Sequence, residues 1–449
     1  MELFGTAGIR GPVRTRVTPA LALAVGSALA ADGAKFVVGR DGRETGTALV
    51  DALAAGLQSG GATVRRIGQV PTPGLAYASQ GRRGVMVTAS HNPPADNGIK
   101  CFVDGEEYDR EAERRIADRV EADPEPVAWH DWADATQERV IDEYREAVAA
   151  YAAEYGAPLD GVEVVVDCGN GMGSLATPQV LGDLGASVVA LNANVDGHFP
   201  GRESKPTPES LADLRRFVAD GDAAFGIGHD GDADRIVIVD GDGEVVHEDT
   251  VLAILAERYV RASDDGDPVV VTTPNASGRI DERVEAAGGR VERVRLGALH
   301  EGIARVRERG DERTTVVFAA EPWKHIHPGF GGWIDGVASA AVLARLVADE
   351  GLGALRSPVT ERPYRKESVP CPDERKEAVM DELERTLPEQ FPEASVATEY
   401  GVRLTFPDAS WLLVRPSGTE PYVRVYAESD EVDSLTTAVV ETVEDTVGE

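Results

Sequence analysis

The feature that most constrains this chain is a grammar used three times: an apolar run, a polar glycine-rich turn, a helix-like stretch, and a second apolar run led by glycine. Phe36-Val37-Val38 precedes Gly39-Arg40-Asp41-Gly42-Arg43, and Gly61-Ala62-Thr63-Val64 follows. Val162 to Val166 leads into Asp167-Cys168-Gly169-Asn170-Gly171, with Gly185-Ala186-Ser187-Val188-Val189 after it. Pro268 to Val271 leads into Thr272-Thr273-Pro274-Asn275, then Gly288-Gly289-Arg290-Val291. Strand, turn, helix and parallel strand make the βαβ unit, and apolar runs without alternation indicate strands covered on both faces. Three successive α/β domains are therefore expected. The remainder differs: an acidic helical stretch from Asp373 to Leu387, strand-like runs at 402–406, 411–414 and 422–426, and a helix from about Glu431. Strands grouped before a final helix indicate an α+β domain. Glycine, proline and charge interrupt the periodic stretches at 151–161, 241–250 and 353–364, which sets the expected domains at 1–150, 151–247, 248–358 and 359–449.

Acidic residues number 78 against 45 basic, a formal charge of −33. Such a field excludes nucleic acid as a partner, because neutralising phosphates takes clustered Lys and Arg. Only six of the basic residues are lysine: Lys35, Lys100, Lys205, Lys324, Lys366 and Lys376. An acidic, lysine-poor surface resembles those of proteins from salt-loving microbes and predicts salt-dependent stability. The hydrophobic fraction of 42% is enough for packed cores. Cys101, Cys168 and Cys371 lie far apart and form an odd set, so neither a disulfide framework nor a zinc site is expected, and a reducing interior suits them. No apolar run approaches the roughly 18 residues of a membrane span, and the start lacks a basic-then-apolar leader; a cytoplasmic protein without a membrane partner is expected.

Four segments carry chemistry. Val85-Met86-Val87-Thr88-Ala89-Ser90-His91-Asn92-Pro93-Pro94 runs from a strand into a loop bearing a hydroxyl and an imidazole; it reads either as an ordinary turn or as a rigid mount for Ser90. Gly228-His229-Asp230-Gly231-Asp232-Ala233-Asp234-Arg235 sets carboxylates at i, i+2 and i+4, which point to one side if the backbone is extended and suit Mg²⁺. A solvated acidic turn is the plain alternative. Arg235 and Gly241 stand where a calcium EF-hand needs Gly and Glu, and the Gly226, Gly228, Gly231 spacing runs into the strand-like Ile236 to Val239 rather than a helix, so neither the calcium loop nor a dinucleotide fingerprint fits. Arg415-Pro416-Ser417-Gly418-Thr419-Glu420-Pro421 reads as a phosphate cradle or a hairpin turn, and the chain has no Walker A loop. Phe4-Gly5-Thr6-Ala7-Gly8-Ile9-Arg10-Gly11 sets glycines around Arg10, as suits a loop pressed against an anion. Gly39-Arg40-Asp41-Gly42-Arg43 is the weaker arginine loop, since its paired arginines can simply offset surrounding acid.

With these four motifs in order, the chain resembles the α-D-phosphohexomutase family, which includes phosphoglucomutase, phosphomannomutase and phosphoglucosamine mutase, over essentially its whole length; its opening is most similar to archaeal phosphoglucosamine mutase-type members. The resemblance implies four domains around a central cleft, phosphorylation of Ser90, and Mg²⁺ held by Ser90, Asp230, Asp232 and Asp234. It implies a catalytic set of Ser90, His91, Arg10, Lys100 and His325, the last two being candidates for proton transfer. Arg415, Ser417, Gly418 and Thr419 would grip the phosphate that is not transferred, with Arg235 and Arg424 also facing the substrate. One loop departs from the family's G-E-x-S-G-H: Glu321 and His325 keep their spacing, but Trp323 and Lys324 stand at the small-residue positions.

The expected activity is reversible phosphoryl transfer between the 6- and 1-positions of a hexose or hexosamine phosphate, glucosamine phosphate first, through phosphorylated Ser90 and a sugar bisphosphate. A phosphopentomutase on ribose phosphates is the alternative within the class. A sugar-phosphate-binding protein without turnover and a phosphatase are the readings outside it.

Overall fold

The computed structural model describes residues 3–5, 8–417 and 420–448. All three repeats fold as parallel strand pairs: Phe36 sits opposite Val64, Val164 opposite Val188, and Val270 opposite Val291. The intervening helices are Gly46–Ser59, Thr177–Asp183 and Gly278–Ala286. The chain divides into two compact units, one of residues 1–248 and 323–355, the other of residues 249–322 and 356–449.

The first unit holds two sheets. The larger runs in the order Ile9–Pro12, Asp96–Val103, Arg83–Val87, Lys35–Arg40, Thr63–Gln69, Ala135–Gln137, with Glu106–Glu107 paired onto Asp96–Val103. Its central strands are buried, with Val37, Val38, Val85 and Val87 fully enclosed, which explains their unbroken apolar runs. The second sheet runs Ile236–Asp240, Phe225–His229, Glu163–Asp167, Ser187–Leu191. The helix Gly336–Glu350 also belongs to this unit, so residues 323–355, placed with the third domain by the sequence boundaries, pack with the first two. The cause is visible in the helix: it is apolar nearly all round, it packs on the helix Ile141–Ala152, and its buried Arg345 donates to the carbonyls of Tyr155 at 2.7 Å and Ala153 at 3.2 Å.

The second unit contains the parallel strands Arg290–Arg293, Asp267–Thr272 and Thr314–Glu321. It also contains an antiparallel sheet in the order Tyr364–Pro370, Tyr422–Glu428, Trp411–Pro416, Val402–Thr405, Ser395–Ala397. Helices Lys376–Gln390 and Val432–Gly448 cover one face of that sheet, burying Leu383, Leu387, Val439 and Val443 against Val423, Val425 and Val414. This is the expected α+β region. All three cysteines are buried free thiols, and among the described residues no helix is long and apolar enough to cross a membrane.

Candidate active site

Ligand-binding groups in parallel sheets gather at the carboxyl ends of strands, and the first unit follows that rule. Ser90 comes just after the strand Arg83–Val87, and Asp230 just after Phe225–His229. The two loops meet: Ser90 Oγ donates to Asp230 Oδ2 at 2.8 Å and lies 3.2 Å from His91 Nδ1. Ser90 is fully buried and has φ 52°, a left-handed conformation that costs a non-glycine residue energy and needs support. Part of that support is a backbone bond from Ser90 N to Thr88 Oγ1 at 2.9 Å.

The three aspartates converge, but not through an extended backbone. Residues 230–234 form a tight turn in which Ala233 takes φ 59°, and one oxygen from each carboxylate falls within 4.8 Å of the others. His229 braces this turn from beneath. Its Nδ1 lies 2.8 Å from the carbonyl of Arg235, so that nitrogen carries the proton, and its Nε2 accepts from Thr177 Oγ1 at 2.8 Å. Burial lowers the His229 pKa to about 4, which keeps the ring neutral.

The oxygens of the trio are divided between those that accept hydrogen bonds and those that accept none. Asp232 Oδ2 takes a hydrogen bond from Thr72 Oγ1 at 2.7 Å and faces Lys100 Nζ at 3.4 Å, while Asp234 Oδ2 lies 2.9 Å from Lys100 Nζ. Asp232 Oδ1 and Asp234 Oδ1 are buried with no hydrogen-bond partner. A buried carboxylate oxygen left bare costs several kcal/mol, of order 1–3 or more. Hard oxygens in this arrangement, beside a serine hydroxyl, are a donor set that fits Mg²⁺.

The carboxyls differ sharply. Burial, with Asp234 and Asp232 close by, pushes the Asp230 pKa well above the usual carboxylate value. Burial acts the same way on Asp234, but Lys100, Arg235 and Lys324 outweigh it and hold that pKa well down. Asp232 is also lowered, with Lys100 and Thr72 outweighing burial and the charge of Asp234. Burial works against the charge on Lys100, yet Asp232, Asp234 and Glu107 outweigh it and raise the Lys100 pKa. Lys100 thus keeps its ammonium charge against both carboxylates. Burial and the charges of Arg235 and Arg10 lower His91 to about 3, so its ring is neutral.

The altered loop divides. Lys324 bridges to Arg235 along the backbone, and its charge reaches Asp234, so it borders the acidic turn. Trp323, at φ 73°, packs against the apolar core around Leu211 and Leu214. His325 is enclosed, with Nδ1 3.0 Å from Ser339 Oγ, and His327 approaches the same hydroxyl at 2.8 Å. Burial lowers both rings to about 3. His325, expected as a proton carrier, shares the Ser339 hydroxyl with His327.

In the second unit, Glu321 ends the strand Thr314–Glu321. Arg415 and Arg424 are direct cross-strand neighbours; Arg415 donates to Tyr426 Oη at 2.9 Å, and Arg424 pairs with Glu420. Gly418 and Thr419 lie outside the described residues. The carbonyls flanking them, of Ser417 and Glu420, both accept from Lys376 Nζ, at 2.7 and 2.6 Å. Sequence reasoning missed Thr72, Lys376 and Arg202. Thr72 is 160 positions from its partner Asp232, a separation that no local pattern carries.

Two loops at strand ends thus bring a hydroxyl and a carboxylate trio together, the pairing that the phosphohexomutase resemblance implies. The family models agree: phosphoglucomutase/phosphomannomutase alpha/beta/alpha domain I matches residues 1–126, domain II residues 142–243, and the C-terminal domain residues 369–445. The chain is 41% identical to a phosphopentomutase of Thermococcus kodakarensis, over 96% of this chain and 94% of the other. It is equally 41% identical to a probable phosphoglucosamine mutase of Methanopyrus kandleri, with the same coverage of 96% and 94%. A crystal structure of a phosphoglucomutase/phosphomannomutase family protein from Burkholderia thailandensis matches with a TM-score of 0.87 at 26% identity, covering 99% of this chain and 97% of that one. The chain belongs to the phosphoglucomutase/phosphomannomutase family. It is a phosphosugar mutase, an isomerase that shifts a phosphoryl group between two positions of a sugar phosphate.

Proposed function

We propose that the chain interconverts glucosamine 6-phosphate and glucosamine 1-phosphate through a phosphoserine at Ser90 and a bound sugar bisphosphate. The observation that carries the mechanism is the 2.8 Å bond from Ser90 Oγ to Asp230, next to Asp232 Oδ1 and Asp234 Oδ1, two buried carboxylate oxygens that accept no hydrogen bond. Asp230, Asp232, Asp234 and the Ser90 oxygen would hold Mg²⁺, which supplies charge neutralisation for the phosphoryl group in flight. A free sugar hydroxyl attacks phosphorus; the bond from phosphorus to Ser90 Oγ breaks as the new phosphorus–oxygen bond forms, and the proton given up by the sugar hydroxyl ends on the freed Ser90 Oγ. The resulting bisphosphate turns over in the site and returns its other phosphoryl group to Ser90. Lys100 and Arg235 face the acidic turn as fixed cations, and Arg10 adds charge nearby. In the second unit, Arg415 and Arg424 are the residues that the family resemblance assigns to the phosphate that does not move. Three buried thiols suit a reducing cytoplasm.

A second reading, a phosphopentomutase, is favoured by one observation: Lys324 places an ammonium in the sugar loop beside the acidic turn. That charge repels the ammonium of glucosamine and leaves the hydroxyls of a pentose unaffected. A coupled mutase assay in molar KCl, with Mg²⁺ and catalytic sugar bisphosphate, compares glucosamine, glucose, mannose and ribose phosphates. Preference for glucosamine phosphate supports the first reading, and preference for ribose phosphate replaces it with the second.

A further inference from the structure

The Gly39 to Arg43 loop finds its use in the first unit, and it has a counterpart. Arg43 is fully buried, and its guanidinium spends all five N–H groups. Nε donates to Asp41 Oδ2 at 3.1 Å; Nη1 donates to the carbonyls of Pro93 at 2.6 Å and Asp96 at 2.9 Å; Nη2 donates to those of Ser90 at 2.9 Å and Asn92 at 2.7 Å. Four carbonyls of the serine loop thus end on one side chain, which the ring of Phe199 covers at 5.1 Å. Asp41, its anchor, sits just past the end of the parallel strand Lys35–Arg40.

The acidic turn is held the same way. Asp167 ends the parallel strand Glu163–Asp167, and its Oδ2 takes Arg202 Nε at 2.9 Å. Arg202 Nη2 then donates to the carbonyl of His229 at 2.6 Å, the residue from which the turn departs. Gly169 leaves room for this, since a Cβ there would come within 2.7 Å of the guanidinium carbon. In each case an aspartate at a strand end orients an arginine that grips the backbone of the neighbouring loop. A lysine would keep the charge but offers three donors without the planar fork.

We propose that Arg43 and Arg202 are a matched pair of positioning residues: Arg43 sets the direction of Ser90 Oγ, and Arg202 sets the height of the carboxylate trio. Together they fix the spacing across which the phosphoryl group passes, so they govern transfer and metal retention rather than sugar binding. The inference rests on the reading of Ser90 as the phosphoryl carrier. Its parts are separable, because Arg43 acts on the serine loop and Arg202 on the acidic turn.

The test uses the full chain with Arg43→Lys, Arg202→Lys and Ser90→Ala, measuring kcat, KM for the sugar phosphate, the Mg²⁺ concentration for half-maximal rate, and the rate of Ser90 phosphorylation by sugar bisphosphate. Arg43→Lys is expected to lower kcat and the phosphorylation rate by about 100-fold while KM for the sugar phosphate moves less than about twofold. Arg202→Lys is expected to raise the Mg²⁺ requirement by about 10-fold, again with little change in KM. Folded Arg43→Lys with the kcat of the parent overturns the inference, as does a loss in both variants that leaves the Mg²⁺ requirement untouched. If Arg43→Lys does not fold, Thr88→Val takes its place. Thr88 Oγ1 ties Asp41 Oδ2 at 2.7 Å to Ser90 N at 2.9 Å, so a folded Thr88→Val with full kcat overturns the inference equally. Activity in Ser90→Ala would instead remove the phosphoserine reading itself; an inactive Ser90→Ala beside a fully active Arg43→Lys would sink this inference alone.

Discussion

Gly231 lies directly against the carbonyl of Ser90: a Cβ on it would meet that oxygen at 2.6 Å. The acidic turn can therefore approach the serine loop only because its second residue has no side chain. Gly231→Ala should force the two loops apart by a few tenths of an ångström or more. The expected result is a kcat lowered by about 100-fold with a stability loss of about 1–3 kcal/mol, read by steady-state kinetics beside denaturant unfolding.

Lys100 balances two buried carboxylates. Replacing it with Met removes the one cation that touches both Asp232 and Asp234 and leaves Arg235, 3.6 Å from Asp234 alone, as the remaining close charge, a change that costs up to roughly 3–5 kcal/mol for a broken buried pair. Mg²⁺ should restore part of this. Unfolding of Lys100→Met in chelator and in Mg²⁺ is expected to show a larger metal stabilisation than in the parent chain.

Histidine burial sets an acid limit on stability. His325 and His327 titrate near 3 and His229 near 4 in the folded chain, all lowered by burial, against about 6.5 when unfolded. Below pH 6.5 the unfolded chain binds protons that the folded chain refuses. These groups therefore leave stability intact above 6.5 and erode it as pH falls toward 4, by about 1.4 kcal/mol per pH unit for each histidine. Unfolding free energy measured from pH 7.5 to 5 in fixed salt should decline, and a flat profile would contradict the burial of these rings.

The sugar loop gives a specificity prediction. Exchanging Trp323 and Lys324 for the Ser and Gly of the family pattern should raise turnover of glucosamine phosphate relative to ribose phosphate, because it removes the ammonium beside the acidic turn. The ratio of kcat/KM for the two sugars is the readout; an unchanged ratio would show that Lys324 does not meet the sugar.

Much of the architecture was legible in the sequence because parallel strands buried on both faces print as unbroken apolar runs, as Val164 to Val166 does. The serine and aspartate loops were legible as motifs, since hydroxyls and closely spaced carboxylates are conspicuous by type. What joins them was not. The turn that brings Asp230, Asp232 and Asp234 together depends on the left-handed Ala233, whereas the spacing alone left open one face of an extended backbone or a solvated turn. Arg43 read as a charge offsetting acid, because its four carbonyl partners lie 47 to 53 positions away. His325 kept its motif spacing yet turned to Ser339, a partner 14 positions on that periodicity does not mark as special.

The high negative charge should make folding depend on salt. At −33, self-repulsion is screened only when the Debye length is short, about 3 Å at 1 M against 30 Å at 0.01 M. Thermal unfolding is expected to occur at a higher temperature in molar KCl than in dilute buffer.

The central claim is that Ser90 carries the phosphoryl group. Its most direct test is to incubate the chain with sugar bisphosphate and Mg²⁺, locate and count bound phosphate by peptide mass spectrometry, and assay the same samples for mutase turnover beside Ser90→Ala. One phosphate per chain on the Ser90 peptide, with turnover lost in Ser90→Ala, is the predicted result; phosphate at another residue, or turnover in Ser90→Ala near that of the parent, would contradict it.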